Sequence, residues 1–233
     1  AEAVWKSGDL QVSRLSFGLG KTFFNASGRI RDFAAPKITA EITSPRIHSD
    51  DIALLASLKT SKKDKTAPSG ATVDATVRAD AAFLEGVEFS ALQAVLNYTP
   101  GKLNVQSLEA DVFDGHIRAK GKATLRPDGR NRYEANLAAD GISLAKLQSV
   151  MNIGDRPITG SLSVSGDLTA SGSQFADLKK TAAGALQIRA EKGVLKKFPV
   201  LSKIFSLLNV SQLFRLKLTA LAKEGMPYSA ITD

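Results

Sequence analysis

The chain has 233 residues, 43% of them hydrophobic and 23% charged, so it can bury a core and is not disordered. It has no cysteine, which excludes a disulfide framework and a thiolate metal site. Its formal net charge of +8 would attract phosphate groups, but the basic residues are not interleaved with the stacking aromatics typical of nucleic-acid-binding proteins. We therefore expect a folded protein that does not bind nucleic acid. The sequence also contains no apolar run long enough to cross a membrane as a helix.

Most of the predicted elements are strands. The clearest lies at residues 115–125, where basic and aliphatic side chains alternate with a period of two. The same alternation is found at residues 38–42, 72–79, 132–140, 161–168 and 186–190. This pattern predicts a mainly β fold with short helices, in which an antiparallel sheet has one apolar and one polar face.

Turn sequences separate several of these strands and predict a meander, in which neighbouring strands follow each other along the chain. They lie at residues 99–102, 113–115 and 126–130, and each contains Gly or Asp-Gly. Between the first two turns the apolar positions shift from odd numbers, at Leu103 and Val105, to even numbers from Leu108 onward. This shift predicts a β-bulge near Gln106.

The sequence also resembles itself at an offset of about 93 to 95 residues, which predicts two copies of one unit. The ordered matches include Phe24 with Ile117, Gly28 with Gly121, Ile42 with Leu137, and, at a shorter offset, residues 89–92 with 175–178. Each copy has a short predicted helix after its middle strands, at residues 50–55 and 143–147, with Asp or Ser placed to cap the N-terminus.

These patterns give a predicted domain organisation. We expect a first β unit at 1–58, a flexible basic loop at 59–70, strands linking the units at 71–104, a second β unit at 105–197, and an amphipathic helix followed by the start of a strand at 198–233. The helix prediction rests on the helical spacing of Leu201, Ile204, Phe205 and Leu208. Two roles stay open for this helix, which are ordinary core packing and closure of one end of an apolar trough.

No residue pattern predicts catalysis, a metal or a cofactor. Residues 20–22 read Gly-Lys-Thr but lack the earlier glycine of a phosphate-binding loop. The two histidines, His48 and His116, lie far apart in the sequence, and we interpret both as surface residues. The carboxylates that could serve as acid, base or metal ligand are Asp50, Asp51, Asp111 and Asp114, and for these we favour a helix cap and a turn. We therefore predict a non-catalytic protein.

Five segments share sequence phrases with a known family, at residues 108–121, 138–147, 158–166, 175–195 and 204–228. Together these phrases, such as Val112-Phe113-Asp114-Gly115, resemble the AsmA-like family of Gram-negative envelope proteins. The resemblance implies a repeated β-sheet curled into an open, taco-like apolar groove that reaches through the periplasm from an inner-membrane anchor. It also implies that the groove carries phospholipid acyl chains toward the outer membrane. The anchor is not in this sequence, so we expect a fragment of a longer protein from the family's C-terminal region.

A sheet with one apolar face must cover that face, either by closing into a sandwich or by leaving a trough for an apolar ligand. Small side chains on the face leave room for an acyl chain, and the resemblance favours the trough. The expected lining consists of Val73, Val77, Ile117, Ala119, Ala123, Leu125, Ala135, Leu137, Leu162, Val164, Leu186 and Ile188. The alternative is a closed, non-catalytic β scaffold that binds an envelope protein or lipopolysaccharide through its basic face.

Overall fold

A computed structural model describes residues 1–6, 8–52, 70–151, 158–195 and 226–232, and most of these residues are in strands. The chain divides into two compact units, Ala1–Asp111 and Val112–Asp233. The strands are β1 (Glu2–Lys6), β2 (Asp9–Leu19), β3 (Thr22–Arg31), β4 (Lys37–His48), β5 (Thr72–Leu84), β6 (Val87–Thr99), β7 (Lys102–Val112), β8 (Gly115–Thr124), β9 (Arg132–Ser143), β10 (Ser161–Ser171), β11 (Ala183–Leu195) and β12 (Met226–Thr232). The helices are α1 (Leu144–Met151) and α2 (Phe175–Thr181), and residues 49–52 are also helical.

In the first unit the strands lie side by side in chain order, from β1 to β7. Strand β1 pairs with β2 alone among the described strands, so this sheet has a free edge. Among the described strands of this unit, all neighbouring pairs are antiparallel except β4 with β5, which are parallel. The chain leaves β4 at His48 and re-enters the sheet at Thr72, opposite Lys37, the first residue of β4. A parallel pair needs such a crossover connection, so the sheet is mixed and not the purely antiparallel one predicted from the alternation.

In the second unit the described strands β8 to β12 also follow chain order, and all of their neighbouring pairs are antiparallel. Helix α1 connects β9 to β10, and Ser143 at the end of β9 pairs with Ser161 at the start of β10. Helix α2 connects β10 to β11. The two connections therefore reverse the chain at opposite ends of β10, as the predicted meander requires.

The predicted turns are confirmed. Gly101 has a φ of 77° between the paired residues Thr99 and Lys102, a geometry that glycine adopts readily. Phe113 and Asp114 both have positive φ, as in a type I′ turn. In the third turn the amide of Gly129 donates to the carbonyl of Arg126 at 3.0 Å, and Arg130 N donates to the Asp128 carboxylate at 3.0 Å.

The predicted bulge is also confirmed. Val95 of β6 pairs with Ser107, whereas the next residue, Leu96, pairs with Val105. Gln106 is therefore the extra residue on β7. The bulge explains how the apolar positions can change from odd to even numbers while still facing the same side of the sheet.

The two predicted copies agree in their first strands and differ later. Gly28 in β3 pairs with Ala40, and Gly121 in β8 pairs with Ala135. A Cβ added at Gly28 would lie 2.3 Å from a carbonyl oxygen of the next strand, and one at Gly121 would lie 2.6 Å from another, so both copies need glycine for the same close approach. The match of residues 89–92 with 175–178 is wrong, because the first segment lies in strand β6 and the second in helix α2.

The buried core lies mainly where helical residues join the sheet. In the second unit it includes Ile142, Leu144, Leu162, Ile188 and Ala190, and Leu144 is only 1% exposed. The domain boundaries predicted from the sequence stay predictions. Residues 59–69 of the predicted loop lie outside the described residues, as does the proposed groove-end helix with Leu201, Ile204, Phe205 and Leu208.

Candidate functional site

Cross-strand pairing places the apolar side chains of the first unit in rows that run across six strands, β2 to β7. Residues directly opposite each other in a ladder point to the same face, so each row lies on one side of the sheet. The first row is Leu10, Ile30, Ile38, Val73, Tyr98 and Leu103; the second is Val12, Gly28, Ala40, Ala75, Leu96 and Val105; the third is Leu15, Ala26, Ile42, Val77, Ala94 and Leu108. We call these three rows the first-unit apolar face.

The second unit has an equivalent arrangement across β8 to β12, which we call the second-unit apolar face. Its rows are Ile142, Leu162, Ala190 and Ile231; Ile117, Ala139, Val164 and Ile188; Ala119, Leu137, Gly166 and Leu186; Gly121, Ala135, Leu168 and Gly184; and Ala123, Tyr133 and Ala170. Along β8 and β10 the row members alternate mainly with polar residues, as the sequence pattern predicts.

The structure places the predicted lining residues within these rows, with one exception. Val73 and Val77 lie on the first-unit face, and nine of the others lie on the second-unit face. Leu162 is one of these nine and lies in the row nearest to α1. Leu125 follows the end of β8 at Thr124 and is half-buried outside the rows. That these side chains contact a lipid stays a prediction.

The sequence-based list missed most of the first-unit face. The alternation of Ile38, Ala40 and Ile42 was recognised as a strand but not as part of the lining. Strand β6 carries a similar signal at Ala94 and Leu96, which a search for period-two patterns could have found. Strand β6 pairs with its chain neighbours β5 and β7, but the pairing of β5 with β4 could not be read from the sequence, because that pair is parallel.

Most residues in the middle rows of both faces are half-buried and not fully buried. Ala75, Leu96, Leu137 and Leu186 are examples. A side chain between two packed layers would be almost completely covered, as Leu144 is. The middle rows also contain many Ala and Gly residues, whose small side chains project little from the sheet. Each face is therefore an apolar surface whose described side chains are only partly covered.

The opposite face of the second unit is charged and exposed. Arg118 pairs with Asp140 at 2.7 Å, and Arg189 pairs with Glu191 at 2.5 Å. The side-chain amide of Asn136 donates to the Asp167 carboxylate at 3.1 Å. These contacts match charges of both signs, so this side of the sheet is suited to water.

The sequence model of the AsmA family matches residues 48–224, which is more than half of the chain. The chain belongs to the AsmA family. No curated protein and no solved structure matches it significantly. Membership is consistent with a role in the cell envelope, and AsmA is not known as a family of enzymes. Among the helices that the structure describes, none has the length and apolar character needed to cross a bilayer.

The carboxylates considered from the sequence have structural partners in this AsmA chain. Asp51 is 6% exposed, and its carboxylate accepts hydrogen bonds from the Thr22 hydroxyl at 2.7 Å and the Lys21 amide at 2.9 Å. The Thr22 hydroxyl in turn accepts from the amide of His48 at 2.9 Å. The bond from Thr22 is the main cause that lowers the pKa of Asp51, with the Lys21 and Thr22 amides adding to it.

The expected helix-capping role of Asp51 is therefore wrong. Helical residues begin at Ser49, so Asp51 lies inside the first turn and its side chain binds the β2–β3 turn instead. Gly20 in that turn has a φ of 56°, and a Cβ there would lie 2.0 Å from an Asp51 oxygen. In the second unit the cap prediction is confirmed, because the Ser143 hydroxyl accepts from the amide of Lys146 at 3.4 Å.

The remaining candidates also have no arrangement for catalysis. Asp114 lies in the predicted turn and forms an ion pair with Lys146 at 2.6 Å. The His48 ring stacks on Phe83, with ring centroids 4.8 Å apart. Asp177 caps α2, and amides of Ser173 and Gln174 lower its pKa. Within the described ranges no three His, Asp or Glu side chains converge to hold a metal ion.

Proposed function

We propose that this AsmA-family chain is a lipid-binding segment of an envelope protein that transports phospholipid between the inner and outer membranes and so supports outer-membrane assembly. In this proposal the apolar faces hold acyl chains while the charged faces contact water. The full-length protein works in the periplasm and is anchored to the inner membrane. Transport of this kind involves binding and release, so it requires neither a cofactor nor a catalytic group.

The observation that supports this proposal is the pair of apolar faces with half-buried middle rows. An uncovered apolar surface is costly in water, and its cost falls when an apolar ligand covers it, by about 25 cal/mol per Å². The small side chains of Ala and Gly on these faces leave space for that ligand. A face made to pack against a second protein layer would more often carry larger, interlocking side chains.

The dimensions of the second-unit face also suit an acyl chain. Along β10 the rows run from Leu162 to Ala170, a length of roughly 27 Å at about 3.4 Å per strand residue. One leaflet of a bilayer has a hydrocarbon thickness of roughly 15 Å, half of about 30 Å. An acyl chain lying along the strands would therefore fit on the face without leaving its rows.

The scaffold interpretation has less support. It requires a basic surface that is free to bind an acidic partner, but Arg118, Arg132 and Arg189 on the charged face each lie within ion-pair distance of a carboxylate. These pairs reduce the charge available to lipopolysaccharide or to an acidic protein. Salt-sensitive binding of a partner by protein that carries no lipid would favour the scaffold.

Mass spectrometry of gently purified chain tests the proposal. We expect co-purified phospholipid in the wild type and a marked loss in Ala135→Glu, because a carboxylate on the apolar face must be desolvated when an acyl chain covers it. The matched control is Asn136→Glu, one residue away on the exposed charged face, and circular dichroism checks that both variants keep their strand content. Equal phospholipid in both variants, or none in the folded wild type, would contradict the proposal.

A further inference from the structure

The first-unit apolar face ends in polar residues that share its side of the sheet. Beyond the third row, the ladder positions that continue the face pair Arg46 with Ala81 and His48 with Phe83. On the other side of β5, Ala81 pairs with Ser90 and Phe83 pairs with Glu88. Since positions two apart on a strand point to the same face, these groups continue the face along β5, one row beyond the intervening row of Ser44, Ala79 and Leu92.

The ring of Phe83 lies between groups of opposite charge. The guanidinium carbon of Arg46 is 5.5 Å from the Phe83 ring centroid, a distance that allows a cation–π contact. His48 stacks on the same ring with an interplanar angle of 12°. Glu88 is directly opposite Phe83 on β6. Arg46 therefore approaches the ring from β4, and Glu88 lies on the β6 side.

Neither charge is neutralised by a neighbour in the described part of the chain. Arg46 and Glu88 are both exposed, and neither forms an ion pair with any residue that the structure describes. The nearby Asp51 carboxylate is already bound by Thr22 and Lys21, so it does not compete for Arg46. A free cation and a free anion flanking one aromatic ring, at the end of an apolar face, match the charge pattern of a small zwitterionic headgroup.

We propose that Arg46, Phe83 and Glu88 form a headgroup subsite for an aminophospholipid. Arg46 donates hydrogen bonds to the phosphate, Glu88 accepts from the primary ammonium group, and Phe83 lies beneath the link between them. The acyl chain extends onto the neighbouring apolar rows. This assignment rests on the proposed function, because it requires lipid on the first-unit face. A headgroup without an ammonium would meet Glu88 as a repulsive charge, and a choline headgroup offers it no N–H donor.

Site-resolved photo-crosslinking tests this subsite. A photoreactive amino acid at Ala81, between Arg46 and Ser90 in the ladder, is activated after the full chain is incubated with vesicles. The vesicles contain equal amounts of phosphatidylethanolamine, phosphatidylglycerol and phosphatidylcholine with identical acyl chains. Mass spectrometry then identifies the captured lipids. We expect phosphatidylethanolamine to be captured in preference to the other two.

Two variants separate the roles of the charges. Arg46→Gln should lower capture of all three lipids by roughly twofold to fivefold, the range for an exposed ion pair, and Arg46→Lys should restore part of it. Glu88→Gln should lower the ratio of phosphatidylethanolamine to phosphatidylglycerol by a similar factor. The matched controls are Arg78→Gln and Glu109→Gln, exposed residues at alternate strand positions that should leave capture unchanged. Thermal unfolding checks that each variant is folded.

The outcomes distinguish this inference from the proposed function. Capture at Ala81 that is unaffected by Arg46→Gln and Glu88→Gln would overturn the headgroup subsite but leave lipid binding intact. Co-purified phospholipid with no capture at Ala81 would overturn the subsite in the same way. Absence of phospholipid from both the purified chain and the crosslinks would overturn the proposed function, and the subsite with it.

Discussion

In each unit a helical segment contacts an equivalent hairpin turn, but the charged residue on the helix is acidic in one unit and basic in the other. In the first unit Asp51 accepts hydrogen bonds from Lys21 and Thr22 in the β2–β3 turn. In the second unit Lys146, which is 95 positions later, forms an ion pair with Asp114, which is 93 positions after Lys21. The sign of the charge on the helix and on the turn is therefore exchanged.

The burial of the two contacts also differs. Asp51 is buried, whereas both members of the Lys146–Asp114 pair are exposed. The second unit compensates with Leu144, which is buried at the start of α1, and with a hydrogen bond from the Ser143 amide to the Phe113 carbonyl at 2.7 Å. The two units therefore share a contact between the helix end and the turn, and its charged member is buried in the first unit and exposed in the second.

The largest effect is expected from Leu144→Ala. This side chain is 1% exposed, and removing a buried Leu side chain costs about 2 to 5 kcal/mol of the free energy of unfolding. Urea denaturation measures the loss. Val150→Ala on the same helix is the control, because Val150 is 46% exposed and should change stability by less than about 0.5 kcal/mol. Similar losses in both variants would contradict the role of Leu144 as the apolar anchor.

A smaller effect is expected from replacing the equivalent glycines. Gly28→Ala and Gly121→Ala each place a Cβ against a backbone carbonyl of the next strand, and such overpacking costs about 1 to 3 kcal/mol. Ser27→Ala and Lys122→Ala, on the adjacent positions, are the controls. If the two units share this close approach, the glycine variants lose stability together in urea denaturation. If only one of the two glycine variants lost stability, the sequence match between Gly28 and Gly121 would be accidental.

The Asp51→Asn variant is expected to lower stability by an amount between those of the glycine variants and of Lys146→Ala. It keeps the shape of the side chain but removes the charge that strengthens the hydrogen bonds from Thr22 and Lys21. Thermal unfolding at neutral pH should show a lower midpoint than the wild type, with Asp50→Asn as the control for an exposed neighbour. An unchanged midpoint would mean that the buried contact contributes little.

The stability difference between the wild type and Asp51→Asn depends on pH because the pKa of Asp51 is lowered. Because its pKa in the folded protein lies below the ordinary value of 3.8, the carboxylate contributes its full stability above that value. The contribution is lost as the pH falls through the lowered pKa. The gap between wild type and Asp51→Asn should therefore be constant near neutral pH and shrink in acid below 3.8. A gap that widens in acid would contradict this sign.

The smallest effect is expected from Lys146→Ala. Both side chains of the Lys146–Asp114 pair are more than half exposed, and exposed ion pairs contribute about 0.2 to 1 kcal/mol. The loss in urea denaturation should disappear at high salt, where screening removes the attraction. A loss that persists in 1 M salt would indicate packing by the Lys146 side chain.

Much of the fold could be predicted because the relevant signals are local. Alternation located the strands, and the odd-to-even change around Val105 and Leu108 located the bulge. Parallel pairing of β4 with β5 could not be predicted, because a strand has the same period in either orientation. The role of Asp51 was also hidden, because its partners at Lys21 and Thr22 are about 30 residues away in the sequence.

The candidate site was predictable only in part for the same reason. The predicted lining residues of β8 to β11 lie in the apolar rows because these strands alternate apolar and polar residues and pair in chain order. The cluster of Arg46, Phe83 and Glu88 depends on the parallel register, which places Phe83 beside His48. From sequence alone, Arg46 follows a proline and has no pattern that predicts a binding residue.

The most direct test of the account compares neighbouring positions on one strand. A photoreactive amino acid is placed at Leu137, in the middle of the second-unit apolar face, or at Asn136, on the charged face. After exposure to phospholipid vesicles, mass spectrometry measures how much lipid is captured at each position and by which part of the lipid. The account predicts capture of acyl chains at Leu137 and little capture at Asn136. Equal capture at both positions, or capture at Asn136 alone, would contradict it.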